Sequence, residues 1–167
     1  MESVEPHSRN LRVHRVADRP DTFFVTKCVQ PRRSVLAAEA RGIICSAFRD
    51  CAERRRIILA AFVVMPDHWH GLFGLLEEWT LPRFMHAFMS YVGGRTAHLL
   101  QAQGCHWQDG YYETRIRSAK QFEYVRGYIA WNPVRKGLVD TPEQWDASSL
   151  QEPALVSDFW PWGFEQD

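Results

Sequence analysis

The sequence predicts an α+β domain with a single antiparallel sheet and helices packed mainly on one face, in a ferredoxin-like (RRM-like) order. Runs of β-branched and aromatic residues alternate with longer amphipathic stretches in the order β-α-β-β-α-β-α. Only Pro66-Asp67 separates the second and third strands, and so short a connection joins antiparallel neighbours. A length of 167 residues with 46% hydrophobic side chains suits one domain with one core.

The first half of the chain contains three predicted strands and one predicted helix. Residues 22–29 (TFFVTKCV) are rich in aromatic and β-branched side chains, which favours a strand. Ser34 is a suitable N-cap for a helix over residues 35–55, where apolar positions recur at helical spacing. A continuous apolar strand over residues 56–65 and a strand over residues 68–76 then form a hairpin.

The second half is predicted to begin with a long helix and a fourth strand. The helix starts after Thr80, because the proline in the following Leu81-Pro82 is tolerated in a first turn, and it ends near Gly104. The pair Gly93-Gly94 predicts an interruption of this helix. Residues 111–116 are expected to form the fourth strand.

A third helix is predicted over residues 119–131. Ser118 and Gln121 have the spacing of a capping box at its start. Pro133 disfavours helical geometry at the residue before it, Asn132, which predicts that the helix ends there.

The chain is expected to comprise an N-terminal extension (1–19), a main domain (20–150) and an acidic, aromatic C-terminal tail (151–167). The tail has four acidic and no basic residues, and its rings are concentrated in the stretch FWPWGF at 159–164. Two interpretations of the tail remain open. Its rings close the hydrophobic core, or they anchor it near a basic cleft where its acids compete with an anionic ligand.

Charge is distributed unevenly along the chain, although 20 basic and 20 acidic residues give a net charge of zero. Residues 1–56 carry 12 basic and 7 acidic side chains, and residues 81–136 carry 8 and 3. All 7 charged residues of 137–167 are acidic. This asymmetry predicts a basic working surface and an acidic tail. The chain has neither a bilayer-length apolar run nor a secretory signal pattern, so we expect a cytoplasmic protein without a membrane segment.

The sharpest chemical signal is the sequence His68-Trp69-His70. On a strand, alternate side chains share a face, so the two histidines point one way and Trp69 points the other. Two imidazoles at that spacing can converge on one ion at about 2.0–2.1 Å each, leaving coordination positions open. An ordinary strand with two partly exposed histidines has the same pattern, and the motif by itself does not separate the two interpretations.

The second signal lies on the third predicted helix. Tyr128 and Asn132 are four residues apart and therefore lie on one helix face, where a phenol and a neutral oxygen ligand could meet the histidine pair. Tyr124 lies one turn earlier on the same face and is a rival nucleophile. The alternative is that both tyrosines only cover the sheet and that Asn132 only ends the helix.

Basic and aromatic residues are concentrated between these two signals. Bases can stack on aromatic rings while basic side chains follow the phosphates of a single strand. The candidate DNA-binding side chains are Arg83, Arg95, Arg115, Arg117, Lys120 and Arg126, accompanied by Trp107, Tyr111 and Tyr112.

Together these segments resemble the REP-associated tyrosine transposases, a branch of the single-tyrosine HUH transposases, where HUH stands for histidine, bulky hydrophobe, histidine. Five segments match in order, and a closing WDASS at 145–149 is similar to the family's W-x-x-S-S ending. The segments are FFVT (23–26), VVMPDHWHGLF (63–73), LPRFMHAFMSYVGGR (81–95), HWQDGYYETRI (106–116) and YIAWNPVRKGLV (128–139). Trp69 departs from the smaller aliphatic residue common at that position.

The resemblance implies the HUH fold and a role for each candidate site residue. His68 and His70 would bind a divalent ion, Mg²⁺ or Mn²⁺, with Asn132 as third ligand and Tyr128 as nucleophile. The implied substrate is single-stranded DNA beside an imperfect hairpin (a REP-like element). Its cleavage would leave a 5′-phosphotyrosine and a free 3′-OH. The resemblance leaves open whether the protein acts as a monomer or a homodimer.

Two other functions compete with this interpretation. A metal-dependent hydrolase also uses HxH, but the metallo-β-lactamase pattern HxHxDH is absent because Gly71 and Leu72 follow His70. The amidohydrolase barrel typically needs about 250 residues, more than the 167 present. The second alternative is a domesticated hairpin-binding protein that no longer transposes DNA.

Overall fold

A computed structural model describes residues 20–76 and 78–157, and its strands form one antiparallel sheet. The order is β2-β3-β1, with two short strands sharing the other edge of β1, which confirms the ferredoxin-like arrangement. The strands are β1 (Thr22–Gln30), β2 (Ile57–Val64), β3 (His68–Leu75), β4 (His106–Trp107) and β5 (Tyr112–Arg115). The dipeptide strand β4 was not anticipated from the sequence.

Three helices cover the two faces of this sheet. They are α1 (Ala38–Glu53), α2 (Leu81–Gln101) and α3 (Ala119–Arg135). The helices α1 and α2 bury their apolar sides in the larger hydrophobic core, whereas α3 packs against β2 and β3 in a second, smaller core. The expectation that helices lie mainly on one face is therefore correct for two of the three, and the third helix covers the opposite face.

The predicted start of the first helix is wrong. α1 begins at Ala38 with Ala37 as N-cap, although Ser34 was expected to cap a helix from residue 35, and it ends at Glu53. The reason is that Leu36 bonds to the β2–β3 turn and not to a helix: its backbone N–H donates to the carbonyl of Pro66 at 2.9 Å. This bond ties the approach to α1 to the β2–β3 turn.

The predicted interruption of the second helix is also wrong, because α2 runs continuously through Gly93 and Gly94. A side chain at either glycine would meet nothing within 4 Å, so the pair lies on the outer side of the helix. Val92 and Thr96 are buried on the inner side. Packing of that side is enough to keep the helix intact despite the low helix propensity of glycine.

The predicted end of the third helix is wrong as well, since α3 continues through Pro133 to Arg135. Proline lacks the backbone N–H, so the helix loses one hydrogen bond there, but the next ones form. Lys136 N–H donates to the carbonyl of Asn132 at 3.1 Å, and both Asn132 and Pro133 are buried. Tertiary packing thus overrides the local preference, and Asn132 stays inside a regular helix, one turn after Tyr128.

The larger core centres on Trp69, which is fully buried. Its ring lies 5.3 Å from Phe48 and 5.2 Å from Phe88, measured between centroids. Phe48 in turn stacks on Phe62 at 4.7 Å. Trp69 therefore fills the space between the sheet and both helices, and the large residue between the histidines points away from them, as predicted.

The WDASS segment, residues 145–149, closes the open edge of β2. Val64 N–H donates to the carbonyl of Ala147 at 2.8 Å, and Phe62 N–H donates to the Ser149 hydroxyl at 3.0 Å. Trp145 adds an indole N–H bond of 3.0 Å to the carbonyl of Val64. This pairing satisfies an edge that would otherwise be free to associate. The extension 1–19 and the ring cluster 159–164 lie outside the described residues, so the two interpretations of the tail stay predictions.

Truncating Trp69 to alanine should lower the free energy of unfolding by about 3–5 kcal/mol, the usual cost of removing a large buried aromatic side chain. Urea denaturation followed by circular dichroism measures this loss. The matched control is Trp131→Ala, because that side chain is 51% exposed and its removal should change stability by no more than about 0.5 kcal/mol. Equal losses from both variants would contradict the central place of Trp69 in the core.

Candidate active site

The two histidines of β3 point into the space between the sheet and α3. Both side chains are buried, and their Nε2 atoms lie 3.0 Å apart. Leu72, two residues further on the same strand face, packs in the smaller core with Ile129 of α3. The predicted common orientation of His68 and His70 is therefore observed, on the face that α3 covers.

Each histidine is oriented by a hydrogen bond at its other ring nitrogen. His68 Nδ1 lies 2.6 Å from Asp67 Oδ1, and His70 Nδ1 lies 2.7 Å from the hydroxyl of Thr26. Thr26 stands directly opposite His70 in the β1–β3 pairing. Arg32 completes the arrangement by donating from Nε to Asp67 Oδ2 at 2.8 Å. Partners of this kind fix the orientation of the imidazole rings.

Burial keeps both imidazoles in their neutral form. It lowers the pKa of His68, although the neighbouring carboxylate of Asp67 acts to raise it. It also lowers the pKa of His70 to about 3, and His68 adds to that effect. Although burial acts to raise the pKa of Asp67, hydrogen bonds from His68 and Arg32 hold it below its usual value. Neutral imidazole is the form that binds a metal ion.

The helix α3 brings the tyrosine and the asparagine to the histidine pair. The Tyr128 ring lies 5.5 Å from the His70 ring and 6.0 Å from Phe24, measured between centroids. Two turns later, Lys136 is close enough to His68 for its charge to lower the pKa of that imidazole. Asn132 lies between these two points on the same helix face, and it is buried.

The donor set fits a six-coordinate divalent ion. Asn132 Oδ1 is buried and has no hydrogen-bond partner among the described residues. Its lone pairs are therefore available to bind a cation. The 3.0 Å between the two Nε2 atoms equals the separation of adjacent ligands in an octahedron with bonds of about 2.1 Å. Nowhere in residues 20–76 and 78–157 do three or more His, Cys, Asp or Glu side chains form a metal cluster. The unpaired amide oxygen of Asn132 could supply a third ligand from the helix that brings Tyr128 to His70.

The structure separates the six candidate DNA-binding residues into two groups. Arg117, Lys120 and Arg126 lie at the start of α3 or on it, on the histidine side of the sheet. The other three lie elsewhere: Arg83 and Arg95 on α2, across the sheet, and Arg115 on β5, paired with Asp21. Arg83 and Arg95 also stack over the rings of Trp79 and Tyr91.

Four residues near the site were not singled out from the sequence. Thr26 and Arg32 contact the histidine pair only because β1 lies beside β3. Arg135 lies over the Tyr128 ring, 5.4 Å from its centroid, and Lys136 acts on His68. Only the spacing of 128, 132 and 136 along one helix face could have suggested Lys136, and no local signal marks Thr26 or Arg32.

A paired-histidine strand facing a helix-borne tyrosine on a ferredoxin-like sheet defines the HUH class of DNA-processing proteins. Residues 23–132 match the family model described as "Transposase IS200 like", and the chain belongs to that family. It is 29% identical over 131 residues to the REP-associated tyrosine transposase of Escherichia coli (strain K12), covering 77% of this chain and 76% of the relative.

A solved structure of a REP-associated tyrosine transposase bound to a REP hairpin has the same fold. The alignment covers 96% of both chains with a TM-score of 0.64 and 22% identity. Within the described ranges, none of the helices combines the length and the apolar character that crossing a bilayer requires.

The hydrogen bonds of the histidine pair predict the tautomer that each imidazole adopts when no divalent ion is added. His68 Nδ1 lies 2.6 Å from Asp67, which can only accept, and 3.3 Å from Arg32 Nη2, which can only donate; the shorter contact places the His68 proton on Nδ1, so its Nε2 carries a lone pair. At 3.0 Å, His70 Nε2 must then carry a proton and donate to it, with the Thr26 hydroxyl donating to His70 Nδ1. Nitrogen-15 NMR of the imidazoles at neutral pH measures this directly. A His70 proton found on Nδ1 would contradict the assignment.

Proposed function

We propose that this protein cleaves and rejoins single-stranded DNA beside a hairpin through a 5′-phosphotyrosine at Tyr128, with a divalent metal ion, Mg²⁺ or Mn²⁺, held by His68, His70 and Asn132. The observation that carries the proposal is that the Tyr128 ring lies 5.5 Å from the His70 ring, beside the histidine pair, and that buried Asn132 lies one turn later on the same helix. The hairpin recorded with the solved relative supports the choice of substrate.

Tyr128 is better placed than Tyr124 to be the nucleophile. The Tyr128 ring lies 5.5 Å from the His70 ring, whereas the Tyr124 side chain is 69% exposed and lies one turn further from Asn132. A strand phosphate near the histidines would therefore meet Tyr128 first. Tyr124 has no equivalent contact with His68 or His70.

The chemistry needs a strong nucleophile and a polarised phosphate. The phenol oxygen of Tyr128 attacks phosphorus, its proton is released, and the bond from phosphorus to the 3′ oxygen breaks, so that the leaving strand ends in a 3′-OH. A tyrosine phenol is protonated at neutral pH and reacts poorly without help. A bound ion would supply that help by stabilising charge on the phosphate oxygens.

Rejoining reverses the same step. A DNA 3′-OH attacks the phosphotyrosine, the bond from phosphorus to the phenol oxygen breaks, and Tyr128 regains its proton. The phosphate ester is conserved throughout, so no nucleotide hydrolysis is needed. The chain agrees with this, since its sequence has no P-loop motif.

The surface around α3 is basic enough to position a strand. Arg117, Lys120 and Arg126 lie at its first half, and Arg135 and Lys136 at its end. In a plot of log affinity against log salt concentration, each contact between a basic side chain and a phosphate of single-stranded DNA would contribute about −0.7 to the slope. Arg83, Arg95 and Arg115 contribute in this proposal only if the substrate extends beyond the histidine face.

Changing Tyr128 to phenylalanine should abolish the covalent DNA adduct while leaving hairpin binding nearly unchanged, because only the phenol oxygen is lost. The measurement is incubation with single-stranded hairpin DNA and Mn²⁺, followed by denaturing gels, with binding measured in parallel. Tyr124→Phe is the matched control and should keep the adduct. The reverse pattern would assign the nucleophile to Tyr124.

Metal binding should raise the melting temperature of the wild-type protein, since an ion at about 100 times its Kd stabilises the folded state by about 2.7 kcal/mol. His70→Ala and Asn132→Ala should lose most of this Mn²⁺-dependent shift in differential scanning calorimetry. Thr26→Val should weaken metal binding by about 10–100-fold, because the valine no longer orients His70.

The control for the metal test is His98→Ala, which removes an exposed histidine on α2. It should retain the full Mn²⁺-dependent shift. If His98→Ala and His70→Ala reduce the shift equally, the ion binds elsewhere and the proposed ligand set is wrong.

A further inference from the structure

An open slot lies on the outer face of α3, directly beside Tyr128. It is a depression of about 450 Å³ whose lining residues are Glu123, Tyr124, Gly127, Tyr128, Trp131 and Arg135. Two of its rings are unusually exposed for their size, with 69% of Tyr124 and 51% of Trp131 accessible to solvent. Neither ring has a part in the chemistry proposed above.

The slot exists because a glycine lies between two aromatic residues. Positions 124, 127, 128 and 131 follow the spacing of one helix face, so that Gly127 forms the floor between the Tyr124 and Trp131 side chains. A side chain at Gly127 would meet nothing within 4 Å. Seven residues of helix separate the two aromatic positions by about 10.5 Å, which leaves room for about two stacked bases at roughly 3.4 Å each.

We propose that this slot binds unpaired bases of the single-stranded segment that flanks the phosphate attacked by Tyr128. The inference rests on the proposed function and specifies how that site holds its substrate. Tyr128 lines the slot and also contacts His70, so a strand that places its phosphate at the histidines passes over the slot with its adjacent nucleotides. Aromatic rings stack on the face of any base, so the exposed rings of Tyr124 and Trp131 can bind unpaired bases.

The charges around the slot also suit a nucleic acid strand. Its one carboxylate, Glu123, accepts a hydrogen bond from Arg126 at 2.6 Å, which neutralises its repulsion of phosphates. Arg135 lies at the other end with its guanidinium over the Tyr128 ring. Lys136 follows directly and acts on His68. One end of the slot therefore carries a neutral ion pair and the other end carries a cation, Arg135.

The test compares three DNA ligands by fluorescence anisotropy without added divalent ions. They are a hairpin with a single-stranded flank, the same hairpin with abasic sites in the flank, and the hairpin without a flank. Wild-type protein should bind the intact flank about 5- to 150-fold more tightly than the abasic one, the range expected for stacking of one base. Trp131→Ala and Gly127→Leu should lose most of that difference and bind the flankless hairpin as the wild type does.

Gly127→Leu directs a side chain into the slot, because a Cβ atom at this position meets nothing within 4 Å and leucine favours a helix. The matched control is Gly94→Leu on α2, where a side chain also meets nothing within 4 Å. This control should keep the preference for the intact flank. Circular dichroism verifies that all three variants are folded.

The inference is overturned if the wild type binds abasic and intact flanks equally, or if Trp131→Ala and Gly127→Leu keep the full preference. It is also overturned if these variants alter the molecular mass of the protein in solution, measured by light scattering, without altering its DNA binding. The slot would then be an interface between two copies of the chain. The wild-type adduct assay separates the two proposals. If the wild type forms the adduct but shows no preference for the intact flank, only the proposal for the slot is wrong. If it prefers the intact flank but forms no adduct, the slot is supported and the proposed cleavage chemistry is wrong.

Discussion

The register in which β1 pairs with β3 is the constraint on which the candidate site depends. It sets Thr26 opposite His70 and Cys28 opposite His68, with both histidines directed towards α3. A slip of one residue would leave Trp69 facing α3 and would remove Thr26 from His70, because side chains alternate along a strand. The large indole makes this slip costly, since only the α1–α2 side has space for it, between Phe48 and Phe88. The residue that separates the two histidines therefore also locks their orientation.

The two faces of the sheet consequently have different roles, one in packing and the other in the candidate site. The face under α1 and α2 is packed with aromatic rings and supplies most of the hydrophobic burial. The face under α3 has a smaller core, with the histidine pair, Asn132 and Tyr128 beside it. Among these polar residues, Asn132 has a buried amide oxygen without a hydrogen-bond partner in the described part of the chain. Burying such groups is costly without partners. The larger core offsets this cost, so that a polar cluster can be held rigidly beneath one helix.

The helix α3 combines positions for chemistry and for substrate contact at adjacent faces. Continuing through Pro133 keeps Tyr128, Asn132 and Lys136 in register along the histidine side. Gly127 opens the neighbouring face between Tyr124 and Trp131. A helix that ended at residue 131, as the sequence predicted, would leave Asn132 outside the regular helix that holds Tyr128. The local cost of an interior proline is thus linked to the precision of the site.

The local pattern of the sequence determined the three helices and every strand except the dipeptide β4, together with the shared face of His68 and His70 and the helical spacing of Tyr128 and Asn132. These features follow from the periods of strands and helices. The local pattern misplaced the start of α1, the end of α3 and the continuity of α2 at Gly93-Gly94, because packing overrode the local preferences of Ser34, Pro133 and the two glycines. Only the tertiary structure decided that α3 covers the histidine face, that Thr26 orients His70, and that half of the candidate basic residues lie elsewhere. Those relations join residues more than 40 positions apart, such as Thr26 and His70. Contacts over that distance come from strand pairing and from burial of apolar faces, which no short segment contains.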